Sequence, residues 1–186
     1  MKTAFIIHGT GGSPQGNWFQ WLKSELEEIG YQVFVPKFPT PKGQSLDAWL
    51  NVFEKYAKDI NEDTIFVAHS LGPAFVLNIL EKINVKVNVS FLVSGFLGLI
   101  GAEPYDTLNK TFTTHNFDWN KIKQNCKTFV IINTKDDPYV PISKGEELAK
   151  NLNVKLIRLE KGGHLNADFG YTKFEYLLDL IKSKVN

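Results

Sequence analysis

A chain of 186 residues fits one domain at the usual size of about 100–200 residues and leaves no room for a second of full size. Hydrophobic residues at 43% and charged residues at 22% exclude disorder and predict a packed core. With 21 Lys and Arg against 20 Asp and Glu, and one cysteine, Cys126, the chain has no bulk basic field for nucleic acid or anionic membrane, no internal disulfide and no cysteine metal cage.

The chain opens on Thr3–Ile7, a short apolar run that reads as a buried strand. It is too short for a signal peptide or a membrane span, so a cytoplasmic, soluble protein is expected. Next comes His8-Gly9-Thr10-Gly11-Gly12-Ser13, a turn whose glycines let the backbone present bare N–H groups. It satisfies neither G-x-G-x-x-G nor G-x-x-x-x-G-K-[ST], which speaks against a phosphate loop. Trp18, Trp21, Leu22, Leu26 and Ile29 have helical spacing and stop at Gly30. Gln32–Val35 reads as a second strand, Lys37–Ser45 with Pro39, Pro41 and Gly43 as a loop, and Leu46–Ile60 as a helix.

The third strand, Thr64–Ala68, runs through Ala68-His69-Ser70-Leu71-Gly72 into a helix over Pro73–Ile83. A strand, a small-x-Ser-x-Gly turn and a helix make a nucleophile elbow, in which the residues two before and two after the serine must be small. Ala68 stands where the strict motif has glycine but keeps the side chain small. The bland alternative makes Ser70 a plain helix cap. On the functional reading Ser70 is the nucleophile, and the amides of Leu71 and Thr10 are the candidate oxyanion donors.

Asn88–Val93 is a fourth strand, and Ser94–Asn125 is a long excursion with Gly95, Gly98, Gly101 and Pro104 and then Phe112, Phe117 and Trp119. Such a segment is expected to line a site. Trp18, Phe96, Leu97, Phe112 and Phe117 are the candidate apolar wall for a substrate, though aromatic residues are by default core. Thr128–Asn133 is the fifth strand, with Cys126 at its opening as a buried small hydrophobe. After it, Asp137 stands three residues before Val140, the D-x-x-V-P spacing that ends this strand in many hydrolases, while Asp136 is expected to cap or brace the turn. A helix over Gly145–Leu152 and a sixth strand, Lys155–Leu159, precede Gly162-Gly163-His164, which puts an imidazole base on a glycine-rich loop at a strand's C-terminal end. Thr172–Lys184 closes the chain as a helix. The order Ser70, Asp137, His164 is the one expected of a hydrolase triad on this kind of sheet.

Taken together, these segments resemble the α/β-hydrolase superfamily over nearly the whole chain. More narrowly, the sequence is similar to the small serine hydrolases grouped with retinoblastoma-binding protein nine and its bacterial relatives. The residues that carry the likeness are Ala68-His69-Ser70-Leu71-Gly72, Asp136-Asp137-Pro138, Gly163-His164-Leu165-Asn166-Ala167 with Gly170, and Phe117-Asp118-Trp119-Asn120-Lys121-Ile122. The resemblance implies one α/β domain over residues 1–186: a mostly parallel sheet of about six strands, helices on both faces and no large cap domain. It implies the triad Ser70, Asp137 and His164. The Leu-x-Cys-x-Glu element for docking on the retinoblastoma pocket is absent around Cys126, so partner binding is not implied.

The expected activity is carboxylesterase-like cleavage of small acyl esters through an acyl-enzyme, with no metal or organic cofactor. The partner is then a small-molecule acyl substrate, with no nucleic acid, no membrane and an unknown protein partner. The alternatives are a non-catalytic interaction module on the same fold and an acyltransferase using the same serine.

Overall fold

The computed structural model describes residues 1–185. The six short apolar runs become β1 (Thr3–Ile7), β2 (Gln32–Phe34), β3 (Ile65–His69), β4 (Val87–Val93), β5 (Cys126–Thr134) and β6 (Leu156–Leu159). Their order is β2-β1-β3-β4-β5-β6, with every neighbouring pair parallel. A parallel sheet covered on both faces needs nearly continuous apolar strands, and β1 and β3 are buried throughout.

Strand alternation sends Ala4, Ile6, Ile65 and Val67 to one face and Phe5, Ile7, Phe66 and Ala68 to the other. The first face is covered by α1 (Phe19–Glu28) and α7 (Glu175–Val185), whose Leu22, Leu26, Leu177 and Ile181 pack there. The second is covered by α2 (Leu46–Phe53), α3 (Gly72–Lys82), α4 (Tyr105–Thr113), α5 (Trp119–Gln124) and α6 (Ile142–Leu152). This is the single-domain α/β-hydrolase architecture without a large cap domain. Among the described residues no helix is long and apolar enough to cross a membrane.

Two segments differ from the sequence reading. The helix expected over Leu46–Ile60 ends at Phe53 and tightens into a 3₁₀ segment, Glu54–Asp59, in which no residue is buried. Half-buried Tyr56, against Phe5 and Phe34, packs on the sheet there, and without a full apolar stripe the α geometry is not maintained. The excursion Ser94–Asn125 holds two helices, α4 and α5. Inside α4 only Asn109, Phe112 and Thr113 are buried, and inside α5 only Ile122, so neither shows the apolar stripe that marks a helix in sequence.

The chain leaves β1 toward β2 at the edge and returns on the other side of β1 to form β3. Connections therefore diverge at the C-terminal ends of β1 and β3, the kind of crevice where open α/β sheets bind their ligands.

Candidate active site

At that crevice the register Ile7↔Ala68 brings the residues just beyond the two strands level with each other. Ser70 follows β3 with φ of 62°, a left-handed conformation that a non-glycine residue adopts only under constraint. The constraint is close packing. A Cβ at Gly72 would lie 2.7 Å from the Ile7 carbonyl oxygen and 3.2 Å from Ala68 Cβ, and one at Gly9 would lie 2.6 Å from Ser70 Cβ. Strand, turn and helix meet with room for one methyl group, which Ala68 occupies. The Ser70 amide donates to Val93 O at 2.9 Å, fixing the turn to β4.

His164 Nε2 lies 3.0 Å from Ser70 Oγ, and His164 Nδ1 lies 2.7 Å from Asp137 Oδ2. The Asp137 side chain has no exposed surface and that of His164 is 8% exposed. Because a carboxylate only accepts, Nδ1 carries the proton, and Nε2 is free to accept from the serine hydroxyl. Asp137 Oδ1 is held by the Tyr139 and Val140 amides at 2.9 and 3.0 Å. Asp136 points elsewhere and accepts from the Gly163 and Gly162 amides at 2.9 and 3.2 Å. Those bonds, that to Gly163 foremost, lower its pKa below the usual carboxylate value.

Three successive carbonyls of the histidine loop are each tied down by a different element. Thr134 Oγ1 donates to Gly163 O at 2.5 Å, His69 Nε2 and Ser94 Oγ donate to His164 O at 2.8 and 3.2 Å, and Trp18 Nε1 donates to Leu165 O at 2.9 Å. His69 is buried, and desolvation, with the neighbouring His164 adding to it, pushes its pKa down to about 3. It is therefore the neutral Nε2–H tautomer that braces the loop. The sequence reading treated His69 as the variable residue of the elbow. Its position at the end of a doubly buried strand was the signal that it had to find a partner.

The glycine-rich turn after β1 is set by His8. Gly9 O accepts from Gly12 N at 3.1 Å and from His8 Nδ1 at 2.8 Å, while His8 Nε2 accepts from Phe38 N at 3.1 Å. Burial lowers the His8 pKa, in keeping with the neutral ring those bonds require. Across the planar trans peptide the Thr10 N–H points opposite to Gly9 O. Among the described residues neither the Thr10 nor the Leu71 amide donates to a protein acceptor.

A cavity of about 350 Å³ opens over Ser70, His69 and His164, lined by Gly9–Gly12, Asn17, Phe96, Ile100, Tyr105, Asn109, Tyr139, Val140, Asn166 and Asp168. Of the five residues expected to wall it, Phe96 does so. Trp18 lies in the core beneath the histidine loop, Phe112 packs on Trp49, and Leu97 and Phe117 border a separate surface hollow. The excursion supplies its wall through Ile100, Tyr105 and Asn109 instead. Cys126, at the opposite end of β5, is buried, and burial pushes its thiol up to about 11. Among the described residues no three His, Cys, Asp or Glu side chains gather to hold a metal ion.

The serine hydrolase family profile matches residues 4–183. The YdeN protein of Bacillus subtilis (strain 168) is 34% identical over 98% of this chain and 95% of its own length, and the crystal structure of the ydeN gene product superposes with a TM-score of 0.91 over 99% of this chain and 98% of that one. Serine hydrolase RBBP9 of Rattus norvegicus is 29% identical over 97% of this chain and 94% of its own. A profile spanning nearly every residue, together with a relative of matching length and shape, shows that the chain belongs to the serine hydrolase family.

Proposed function

We propose that residues 1–186 act as one hydrolase domain that cleaves small acyl esters through an acyl-enzyme, with Ser70 as nucleophile, His164 as base and Asp137 as its orienting carboxylate. The observation that carries this reading is the hydrogen-bonded line from Asp137 Oδ2 through His164 to Ser70 Oγ, at 2.7 and 3.0 Å, with the serine on a left-handed turn.

Ser70 Oγ attacks the ester carbonyl carbon as its proton passes to His164 Nε2, and Asp137 stabilises the imidazolium. The carbonyl oxygen gains the negative charge and turns to the Thr10 and Leu71 amides, which are already unpaired and held by the turn and the start of α3. His164 returns the proton to the departing alcohol, leaving the acyl group on Ser70. Water, deprotonated by the same histidine, then releases the acid and restores the serine. Phe96, Ile100 and Val140 give the organic part of the substrate an apolar surface.

Rapid mixing with p-nitrophenyl butyrate tests Ser70 as the nucleophile. The expected result is a burst of p-nitrophenol matching the enzyme concentration, or steady turnover if deacylation is fast, with both lost in Ser70→Ala. Turnover that survives in Ser70→Ala would overturn the reading.

A further inference from the structure

Asn109, on α4, is 3% exposed, lines the cavity and takes no part in the proton relay. Its amide orientation is fixed by its neighbours. Gln44 Nε2 donates to the Leu108 carbonyl at 3.1 Å, and since a carbonyl only accepts, the Gln44 amino group must be the part facing α4. That group also donates to Asn109 Oδ1 at 2.9 Å, and the Thr10 hydroxyl donates to the same oxygen at 2.5 Å. Asn109 Oδ1 is thus engaged twice. Its Nδ2 group, with two N–H donors, has no protein acceptor among the described residues and is not one of the enclosed unpaired polar atoms, so it opens onto the cavity that the residue lines.

We propose that Asn109 is a substrate-binding residue whose Nδ2 group donates to an oxygen on the acyl chain, so that the site selects oxygenated acyl groups over plain hydrocarbon ones. This rests on the acyl-enzyme reading given above. The leaving oxygen must reach His164 Nε2, and the Tyr139 ring stands 5.1 Å from that imidazole. Asn109 is tied instead to Thr10, whose amide is the proposed oxyanion donor, and on this proposal the retained acyl group lies on that side. The cavity lining has no lysine or arginine and one carboxylate beyond the relay, Asp168. The oxygen in question is therefore a neutral ether, hydroxyl or keto oxygen rather than a carboxylate.

The test compares p-nitrophenyl hexanoate with isosteres in which an ether oxygen replaces each methylene beyond the α-carbon in turn. The readout is kcat/KM for each ether ester divided by that for hexanoate, in wild type, Asn109→Leu, Asn109→Ala and Gln44→Leu. Taking the ratio between variants cancels the inductive activation of the ether esters. At least one ether ester should lose about tenfold of its relative preference in both Asn109 variants, the worth of one hydrogen bond. Gln44→Leu, which loosens the same network but keeps the Asn109 amide, should lower both rate constants together. Wild type that hydrolyses hexanoate, with ratios unchanged in Asn109→Leu and Asn109→Ala, would overturn the proposal while leaving the hydrolase reading standing. Wild type inert toward every ester would overturn the hydrolase reading itself.

Discussion

Asp137 and Asp136 are adjacent in sequence and do different work, which their hydrogen bonds separate cleanly. Asp137→Asn keeps the shape but cannot hold the proton on Nδ1, so kcat is expected to fall about 10³-fold to 10⁴-fold with little change in folding stability. Steady-state kinetics beside urea unfolding checks both halves. His69 gives a second prediction. Its native pKa of about 3 lies below the ordinary 6.5, so as pH falls the unfolded chain binds a proton that the folded chain refuses. The stability it contributes is complete above about pH 6.5 and declines toward about pH 3, by about 1 kcal/mol per pH unit, with buried His8 acting in the same direction. His69→Gln keeps a donor for His164 O without ionising. Urea unfolding should therefore show it losing less stability than wild type between neutral pH and about pH 5; equal losses would contradict the assignment. Ser70, Asp137 and His164 were legible because each stands just past an apolar strand with a distinctive spacing. Asn109 was not, because its role depends on Gln44 and Thr10, distant in sequence and brought together only by folding.

At the scale of elements, the junction of β1, β3 and α3 determines whether Ser70 can be held on its turn. Gly72→Ala drives a methyl to 2.7 Å from the Ile7 carbonyl and against Ala68 Cβ, an overpacking of main chain that should cost about 1–3 kcal/mol and most of the activity. Ala68→Gly, which removes the one methyl the junction already accommodates, should retain the fold and the chemistry; thermal melting and ester turnover of the two variants distinguish them. The six strands were legible because burial on both faces demands unbroken apolar runs. The inner surface of α4 is polar where it meets the cavity, at Asn109, and so carries a helix without an apolar period. Short α5 is anchored by Asp118, whose carboxylate accepts from Lys121 N at 3.0 Å, and by Ile122, too little pattern to separate it from a loop.

At the scale of the whole molecule, chain divergence around β1 creates the crevice, and the segments that follow β1, β3, β4, β5 and β6 fill it with chemistry. The cavity of about 350 Å³ sits near the lower end of small-molecule sites, about 300–1,000 Å³. A series of p-nitrophenyl esters should therefore show kcat/KM highest for short acyl chains and falling for long ones; a rise through long chains would contradict a site bounded by α4. The central claim is that Ser70 is activated by His164, and fluorophosphonate labelling followed by intact mass tests it most directly. Wild type should gain one adduct, mapped to Ser70, that Ser70→Ala abolishes and His164→Ala abolishes or slows severely. Folded wild type that takes no adduct, or an adduct that persists in Ser70→Ala, would contradict it.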